Sequence, residues 1–326
     1  MHIHIQEFAD NPFLSLTEAE FVAAASGAGP VGQGHTVSFA DDLAGFHKVA
    51  DRIEALIAGP AAIGRLPLPA APKLRLIQST SAGVDPLAPF DMIPEGVMLL
   101  NNRGVHADRA GEFAIMAMLM LASHMPVFAT NQRAHRWQRI SSGIVAGRRA
   151  TIVGVGGLGG GAARRARQFG IRVTGIRNTM AHHPDCDRTL PVAEFESVLP
   201  ETDLLLLACP LTEATRNLLD ARRIGLLPRH AGVINIGRGA LLDQDALAAA
   251  LAEGRIAGAV LDVFATEPLP EPDPLWDTPN LIVTPHISSD DPERYNEATL
   301  AIFFENLRAI QAGETPPTLV DLAKGY

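Results

Sequence analysis

Cysteine is scarce: Cys186 and Cys209 are the two in 326 residues. They form neither a disulfide framework nor a metal-ligand spacing, so the expectation is a reducing, cytoplasmic compartment and no bound metal. Positive charge is also short, with 27 Lys and Arg against 36 Asp and Glu and a net charge of −9. Nucleic acid and anionic membranes select basic faces, so neither is expected as the main partner. An anionic small molecule stays open, because it needs only local positive charge. No long hydrophobic run is present: the most apolar stretch, 113–125, is too short to span a bilayer and reads as a buried helix. The opening Met-His-Ile-His-Ile-Gln-Glu-Phe lacks the basic start and apolar centre of a signal peptide. No repeat of 20–50 residues is visible. What is there is 47% hydrophobic and 19% charged, material for a globular chain with two domains of ordinary size.

The densest signal runs from Ala150 to Gly161. A β-branched run over 151–155 has the composition of a buried parallel strand. Gly154, Gly156 and Gly159 follow at G-x-G-x-x-G spacing, and 162–169 continues at helical period. The first glycine permits a tight turn, the second lets backbone approach a pyrophosphate, and the third lets helix and strand pack closely. The helix N-terminus adds unpaired N–H groups and partial positive charge. Glycine-rich turns are common, and the strand before and helix after are what give this one weight.

Around it the chain reads as α/β. Residues 1 to about 100 suggest a small unit with strands at 3–6, 74–78 and 98–101 and helices at 17–25 and 46–56. Between strand and turn lies Ser79-Thr80-Ser81-Ala82-Gly83-Val84-Asp85, whose small residues leave amides accessible to an anion such as a carboxylate, or simply end a strand. A long apolar helix is expected over 106–124, closed by Pro126 and packed on both sides, as at a domain junction or subunit interface. The cluster Arg133, Arg136 and Arg139 reads as a solvated face. Five more strands follow the glycine loop, at 171–176, 203–208, 232–236, 257–262 and 281–284. Six strands alternating with helices describe a doubly wound parallel sheet, a Rossmann domain. Asp243 and Gly254 bracket its clearest helix. Asp291 and Pro292 look like the start of a final amphipathic helix reaching 311, and 318–322 could rejoin the N-terminal unit. The domains expected are therefore 1–101 with 291–326, and 102–290.

Ligands of such sheets lie beyond the carboxyl ends of the strands. Three polar side chains fall there: Arg238 in Ile-Asn-Ile-Gly-Arg-Gly, Glu267 past the fifth strand, and His286 in Thr-Pro-His-Ile. An Arg can bind a carboxylate in bidentate fashion. A His exchanges protons near neutrality, and a neighbouring Glu would hold its tautomer and favour its charged form. Each also has a plain structural explanation, as a helix-end cation, a loop carboxylate and a strand-end histidine. It is the joint pattern that points to chemistry.

These segments, with Ser81-Ala82-Gly83-Val84-Asp85, Ala110-Gly111-Glu112, Pro210-Leu211-Thr212-Glu213-Ala214-Thr215, Asn235 to Gly239, Leu261 to Pro270 and Thr284 to Ile287, resemble the D-isomer-specific 2-hydroxyacid dehydrogenases, and among them the glyoxylate/hydroxypyruvate reductase-like members. They occur in family order over nearly the whole chain. The resemblance implies a flavodoxin-like substrate domain built from both chain ends beside the Rossmann domain. It implies that His286 protonates the keto oxygen as hydride reaches C2, that Glu267 holds that His, and that Arg238 binds the substrate carboxylate with the amides of Ala82 and Gly83. It places Asp262 on the nicotinamide carboxamide and His286 beside the ring. Gly154, Gly156, Gly157, Leu158, Gly159, Cys209, Pro210, Thr215, Ile236, Gly237, Arg238 and Ser288 complete the cofactor's path. It further implies two domains closing over substrate and a homodimer made partly by the helix near 106–125.

Two departures matter. The second strand of the nucleotide domain ends in Arg177-Asn178, where NAD-preferring enzymes carry an acid for the ribose 2′-hydroxyl. A guanidinium there would pair with a 2′-phosphate, so NADP(H) is the expected cofactor and NAD(H) the second candidate. His182 and His183 follow in a loop, with no role assigned. Arg103 stands where the family usually has proline. The expected activity is an oxidoreductase reducing a small 2-keto acid to the D-2-hydroxy acid. The competing class is a non-enzymatic, cofactor-sensing corepressor-like binding protein on the same scaffold. Oxidation of a one-carbon or phosphorus-containing acid suits the 81–84 loop and Arg238 less well than a carboxylate does.

Overall fold

The computed structural model describes residues 1–8, 15–179, 181–289 and 291–323. The chain divides into two compact units, Met1–Val105 with Asp291–Tyr326, and His106–Asp290. The first crossing falls at 105/106, four residues past the 101/102 expected from sequence. The intervening turn is tied to the first unit, since Asn102 N–H donates to Ser81 O (3.0 Å) and Arg103 Nη2 to Leu319 O (3.3 Å). Arg103, in the family's proline position, thus reaches the C-terminal segment.

The first unit runs β1 (His2–Gln6), α1 (Glu18–Gly27), β2 (Thr36–Ala40), α2 (Leu43–His47), β3 (Ala55–Ala58), α3 (Pro60–Ile63), β4 (Leu76–Ser79) and β5 (Met98–Leu100). Its strands are parallel in the order β2-β1-β3-β4-β5, the flavodoxin order. Thr17 opens α1 with a reciprocal capping box to Glu20. The helix expected over 46–56 is a correction. Phe46, Val49, Ala50 and Ile53 do stand at helical spacing and are buried, but the chain there is the end of α2, a short 3-10 turn at Ala50–Arg52 and the start of β3. β3 is buried at every position between β1 and β4. A strand covered on both faces is a plain apolar run, which periodicity cannot tell from helix.

One face of β1 is polar and buried. Gln6 Nε2 donates to Ala40 O (3.1 Å), so Gln6 Oε1 must accept from His4 Nε2 (3.1 Å). His4 Nδ1 then accepts from Ser38 Oγ (2.8 Å), Ser38 from His2 Nε2 (2.9 Å), and His2 Nδ1 from Thr36 Oγ1 (2.8 Å). With both rings neutral, the form that burial favours, every proton in this chain has one direction.

The second unit contains α4 (Ala107–Ala122), α5 (Met125–Arg133), β6 (Arg149–Val153), α6 (Gly157–Gln168), β7 (Arg172–Arg177), β8 (Arg188–Pro191), α7 (Phe195–Val198), β9 (Leu204–Leu207), α8 (Ala221–Ile224), β10 (Gly232–Asn235), α9 (Gln244–Ala252), β11 (Gly258–Leu261) and β12 (Leu281–Val283). Its sheet is parallel in the order β12-β11-β10-β9-β6-β7-β8, the Rossmann order extended by one strand. Seven strands replace the six expected. β8 was illegible because it is an edge strand, at best half-buried, that ends in proline. Leu204 and Leu206 enter the core on one face of the sheet while Leu205 and Leu207 enter the other. Asp243 caps α9 by accepting from Ala246 N–H (3.0 Å), and Gly254 follows with φ +64°.

Pro126 opens a helix instead of closing one: α4 ends at Ala122, His124 turns left-handed (φ +58°), and Pro126 sits in the first turn of α5. α4 buries one side on α6 and the sheet, whereas Met116 is exposed. Among the described residues no single helix is long and apolar enough to cross a membrane. The chain returns to the first unit as α10 (Tyr295–Gln311). Regular helix begins at Tyr295, after a turn in which Asp291 Oδ1 accepts Arg294 N–H (3.3 Å) and Asp291 O accepts Tyr295 N–H (3.0 Å). Beyond it, Leu319 makes an isolated antiparallel bridge to Leu100.

Candidate active site

The glycine loop is built as its spacing requires, each position for a different reason. Gly154 has φ +87°, and a Cβ on it would lie 2.5 Å from Cys209 Cα. A Cβ on Gly159 would lie 1.9 Å from Gly154 O. A Cβ on Gly156 would meet nothing within 4 Å, so this glycine keeps open the space in front of α6. Gly156 is also the N-cap of α6 and supplies no side-chain cap, which leaves the helix's first amides to an incoming anion. This open cradle at a helix N-terminus fits a dinucleotide pyrophosphate. Gly157 and Leu158 form the first turn, and Gly161 serves packing: its Cβ would lie 1.9 Å from Ala107 O in α4.

β9 and β10 end beside this loop. Cys209 is buried against Gly154, and burial pushes its thiol up to about 12. Ile236 is buried and donates its N–H to Leu207 O (3.1 Å). A Cβ on Gly237 would come within 3.0 Å of Cys209 O. Thr215 Oγ1 donates to Pro210 O (2.8 Å) and accepts from Thr212 N–H (2.7 Å), so this hydroxyl shapes the turn after Cys209. At the end of β7, Arg177 is half-buried and Asn178 exposed. The ring of His183 lies against Gly160, its Nε2 3.1 Å from where a Cβ would stand. Desolvation and then the charges of Arg177, His182 and Arg164 outweigh Asp185, so its pKa is lowered.

Arg238 follows β10 in extended backbone, with Nη1 donating to Gly237 O (2.9 Å). Asn235, which sequence reasoning did not single out, holds this turn at both ends. Its Oδ1 accepts from Gly237 N–H (3.1 Å) and its Nδ2 donates to Arg238 O (2.9 Å). An Asn two residues before a glycine at a strand end was the available signal, an Asx turn. Gly239 then lies on the backbone of the β11 loop, where its Cβ would be 1.9 Å from Phe264 C. That contact joins the Arg238 turn to the segment carrying Glu267.

His286 Nδ1 and Glu267 Oε2 are 2.7 Å apart. The other carboxylate oxygen of Glu267 accepts from Phe264 N–H (2.8 Å), which fixes the plane of the acid. His286 has φ +54°, a left-handed conformation that costs a non-glycine residue roughly 1–2 kcal/mol. Asp262 explains why it persists. Asp262 is fully buried, and its backbone O accepts His286 N–H (2.9 Å). Its Oδ1 accepts from Thr284 Oγ1 (2.6 Å) and Ile287 N–H (2.9 Å), and its Oδ2 from Ser288 N–H (2.9 Å). The site therefore rests on a buried carboxylate that grips both sides of the histidine. Ala82 and Gly83 lie in the first unit, half-buried just after β4.

The parallel sheet and the cradled helix N-terminus define a dinucleotide-binding domain of the Rossmann class. The model of the D-isomer-specific 2-hydroxyacid dehydrogenase NAD-binding domain matches residues 115–288, within the second unit. The chain belongs to the D-isomer-specific 2-hydroxyacid dehydrogenase family. It is 35% identical over 261 residues to a glyoxylate reductase of Korarchaeum cryptofilum, covering 77% of each chain. It is 32% identical over 286 residues to glyoxylate/hydroxypyruvate reductase B of Pectobacterium carotovorum subsp. carotovorum, covering 84% of this chain and 88% of that one. Among solved structures it is similar to a D-isomer-specific 2-hydroxyacid dehydrogenase of Xanthobacter autotrophicus in complex with NADPH and MES. That likeness has a TM-score of 0.81 and 28% identity over 99% of both chains. It is also similar to an NADPH-dependent glyoxylate/hydroxypyruvate reductase of Sinorhizobium meliloti in complex with NADP and sulfate, with a TM-score of 0.78 and 27% identity over all of both chains.

Proposed function

We propose that this chain is an NADP(H)-dependent reductase of a small 2-keto acid of the glyoxylate or hydroxypyruvate kind, forming the D-2-hydroxy acid. The 2.7 Å pair of Glu267 and His286 on the rim that also bears Arg238 carries this reading. With Glu267 on Nδ1, the transferable proton sits on Nε2, and His286 gives it to the keto oxygen. In the reverse direction the same nitrogen takes the hydroxyl proton. Glu267 stabilises the imidazolium, Arg238 binds the substrate carboxylate and draws charge from the carbonyl, and the amides of Ala82 and Gly83 are donors suited to a carboxylate. The glycine cradle and α6 hold the pyrophosphate, and bound NADPH supplies the hydride. The choice of NADPH over NADH rests on Arg177 at the end of β7, where the NAD-type acid is missing. The names of the relatives and the NADPH and NADP in the similar structures support both choices.

The same reading includes a cytoplasmic homodimer through the exposed side of α4 and the neighbouring α5 segment, where Met116 on α4, Met125 at the start of α5 and Trp137 after it are exposed. Sedimentation tests that part. The activity is tested by NADPH oxidation at 340 nm with glyoxylate, hydroxypyruvate, pyruvate and bulkier 2-keto acids. Turnover with a small member is expected, and none with any member would turn the assignment to a cofactor-sensing binding protein. His286→Gln should lower kcat by about 10²–10⁴-fold, the usual contribution of a positioned acid, with NADPH binding retained. Equal loss of both would make His286 structural.

A further inference from the structure

Three consecutive carbonyls, from the last residue of β4 onward, are drawn into the first unit by buried donors. Gln78 Nε2 donates to Ser79 O (3.0 Å) and to Asn101 O (2.9 Å). Thr80 O accepts from Asn102 Nδ2 (3.1 Å) and from the Tyr295 hydroxyl. Ser81 O accepts from the backbone N–H of Asn102 (3.0 Å). The donors are themselves held. Asn102 Nδ2 also donates to Thr299 Oγ1 (2.7 Å), and Gln78 Oε1 accepts from Asn306 Nδ2 (3.0 Å). Tyr295, Thr299 and Asn306 thus form a stripe along one side of α10, where an ordinary amphipathic helix would be apolar. All three are buried, and Asn102 is wholly so.

Such a polar stripe costs free energy unless every group is paired, and here one is not. Asn102 Oδ1 is buried without a hydrogen-bond partner, so this residue is kept for what it donates. Its donations set a direction. In a trans peptide the C=O and the next N–H point opposite ways, so holding Ser81 O inward turns the Ala82 N–H outward. Ser81 N–H is spent on Ser79 Oγ (3.1 Å), and Thr80 N–H on Ala58 O (3.0 Å). The amides of Ala82 and Gly83 donate to nothing among the described residues.

We infer that Asn102 and Tyr295 are positioning residues for the substrate carboxylate, acting through the Thr80 and Ser81 carbonyls to aim the Ala82 amide. This rests on the carboxylate role given above to Ala82 and Gly83. It goes beyond that role by assigning the loop's orientation to the far end of the chain. Removing a donor loosens the loop without touching substrate, cofactor or the Glu267–His286 pair. The binding of the keto acid is therefore weakened and the proton transfer is not.

Tyr295→Phe and Asn102→Ala are the variants, because each removes a side-chain donor to Thr80 O and keeps the backbone. Each should raise the KM for glyoxylate by about fivefold, one ordinary hydrogen bond's worth, with kcat and the NADPH Kd changed by less than about twofold. Amide exchange should accelerate by about fivefold at the hydrogen-bonded amides of Thr80, Ser81 and Asn102 and stay unchanged in β1 and β3. Unchanged exchange at Thr80, Ser81 and Asn102 in both variants overturns the inference. So does a general rise in exchange across the first unit with kcat falling alongside, which is the mark of a merely structural role. Should the wild-type chain reduce no 2-keto acid, the proposed function fails by itself, and exchange at Thr80, Ser81 and Asn102 still decides whether the brace exists.

Discussion

Asp262→Asn is the most informative single substitution, because it keeps the shape of the side chain and removes one acceptor. The Asp262 carboxylate takes three bonds, from Thr284 Oγ1 and Ile287 N–H on Oδ1 and from Ser288 N–H on Oδ2. An Asn oriented with its oxygen toward Thr284 and Ile287 sets its NH₂ against Ser288 N–H, donor against donor. Flipped, it sets the NH₂ against Ile287 N–H instead. Either way one buried amide loses an ionic acceptor, worth about 1.5–3 kcal/mol, and is left unpaired at a further cost of about 1–3 kcal/mol. The second unit should lose about 3–5 kcal/mol by urea denaturation, a large share of the usual 5–15 kcal/mol. His286 sits at φ +54° next to the anchored Ile287–Ser288 segment, one of whose amides is released. The loop should therefore relax, and kcat should fall about 10²-fold, as small misplacements of a reacting group do. An unchanged urea midpoint would refute the reasoning, and activity lost with stability intact would move Asp262 from the loop to direct cofactor contact.

Other outcomes follow from the same geometry. Arg177→Ala should lower kcat/KM for NADPH by about tenfold or more while sparing NADH, given the strength of a guanidinium–phosphate pair; equal effects on both would remove Arg177 from the 2′-phosphate. Gly239→Ala drives a methyl to within 1.9 Å of Phe264 C against backbone that cannot swing away. It should cost more than about 3 kcal/mol and separate the Arg238 turn from the Glu267 loop, and a soluble, fully active variant would contradict the contact. The His2–Ser38–His4 chain predicts acid sensitivity of the first unit. Desolvation lowers the His4 pKa below 6.5 in the fold, and desolvation with Arg52 does the same to His2. The folded state then binds fewer protons than the unfolded one. Stability is whole above pH 6.5 and is lost as pH falls toward the folded values, by up to about 1.4 kcal/mol per pH unit for each ring. Imidazole resonances titrating at or above 6.5 would contradict it.

Much of the candidate site was legible because its signals are local. Gly154, Gly156 and Gly159 serve a turn completed within six residues, so spacing alone states the need for a tight bend, open space and close packing. Arg177, Arg238 and His286 follow strands that announce themselves as apolar runs, and the rule about carboxyl ends of parallel strands gathers them on one rim. β3 hid for the opposite reason. Its position between β1 and β4 buries both faces, which erases the alternation that marks a strand. β2 and β8 are edges, where burial is too slight to leave a pattern.

The sequence by itself determined the class of the fold, the glycine cradle and the identity of the ionisable rim residues, since each is written in neighbours or in strand-and-helix periods. Tertiary structure alone decided how those residues are held. Glu267 and His286 are 19 residues apart, Asp262 and Ser288 are 26, and Thr80 and Tyr295 are 215. Periodicity records which side of a segment is buried. It does not record which distant donor the chain brings back to a buried carbonyl, and that is settled only when the last helix returns to the first sheet.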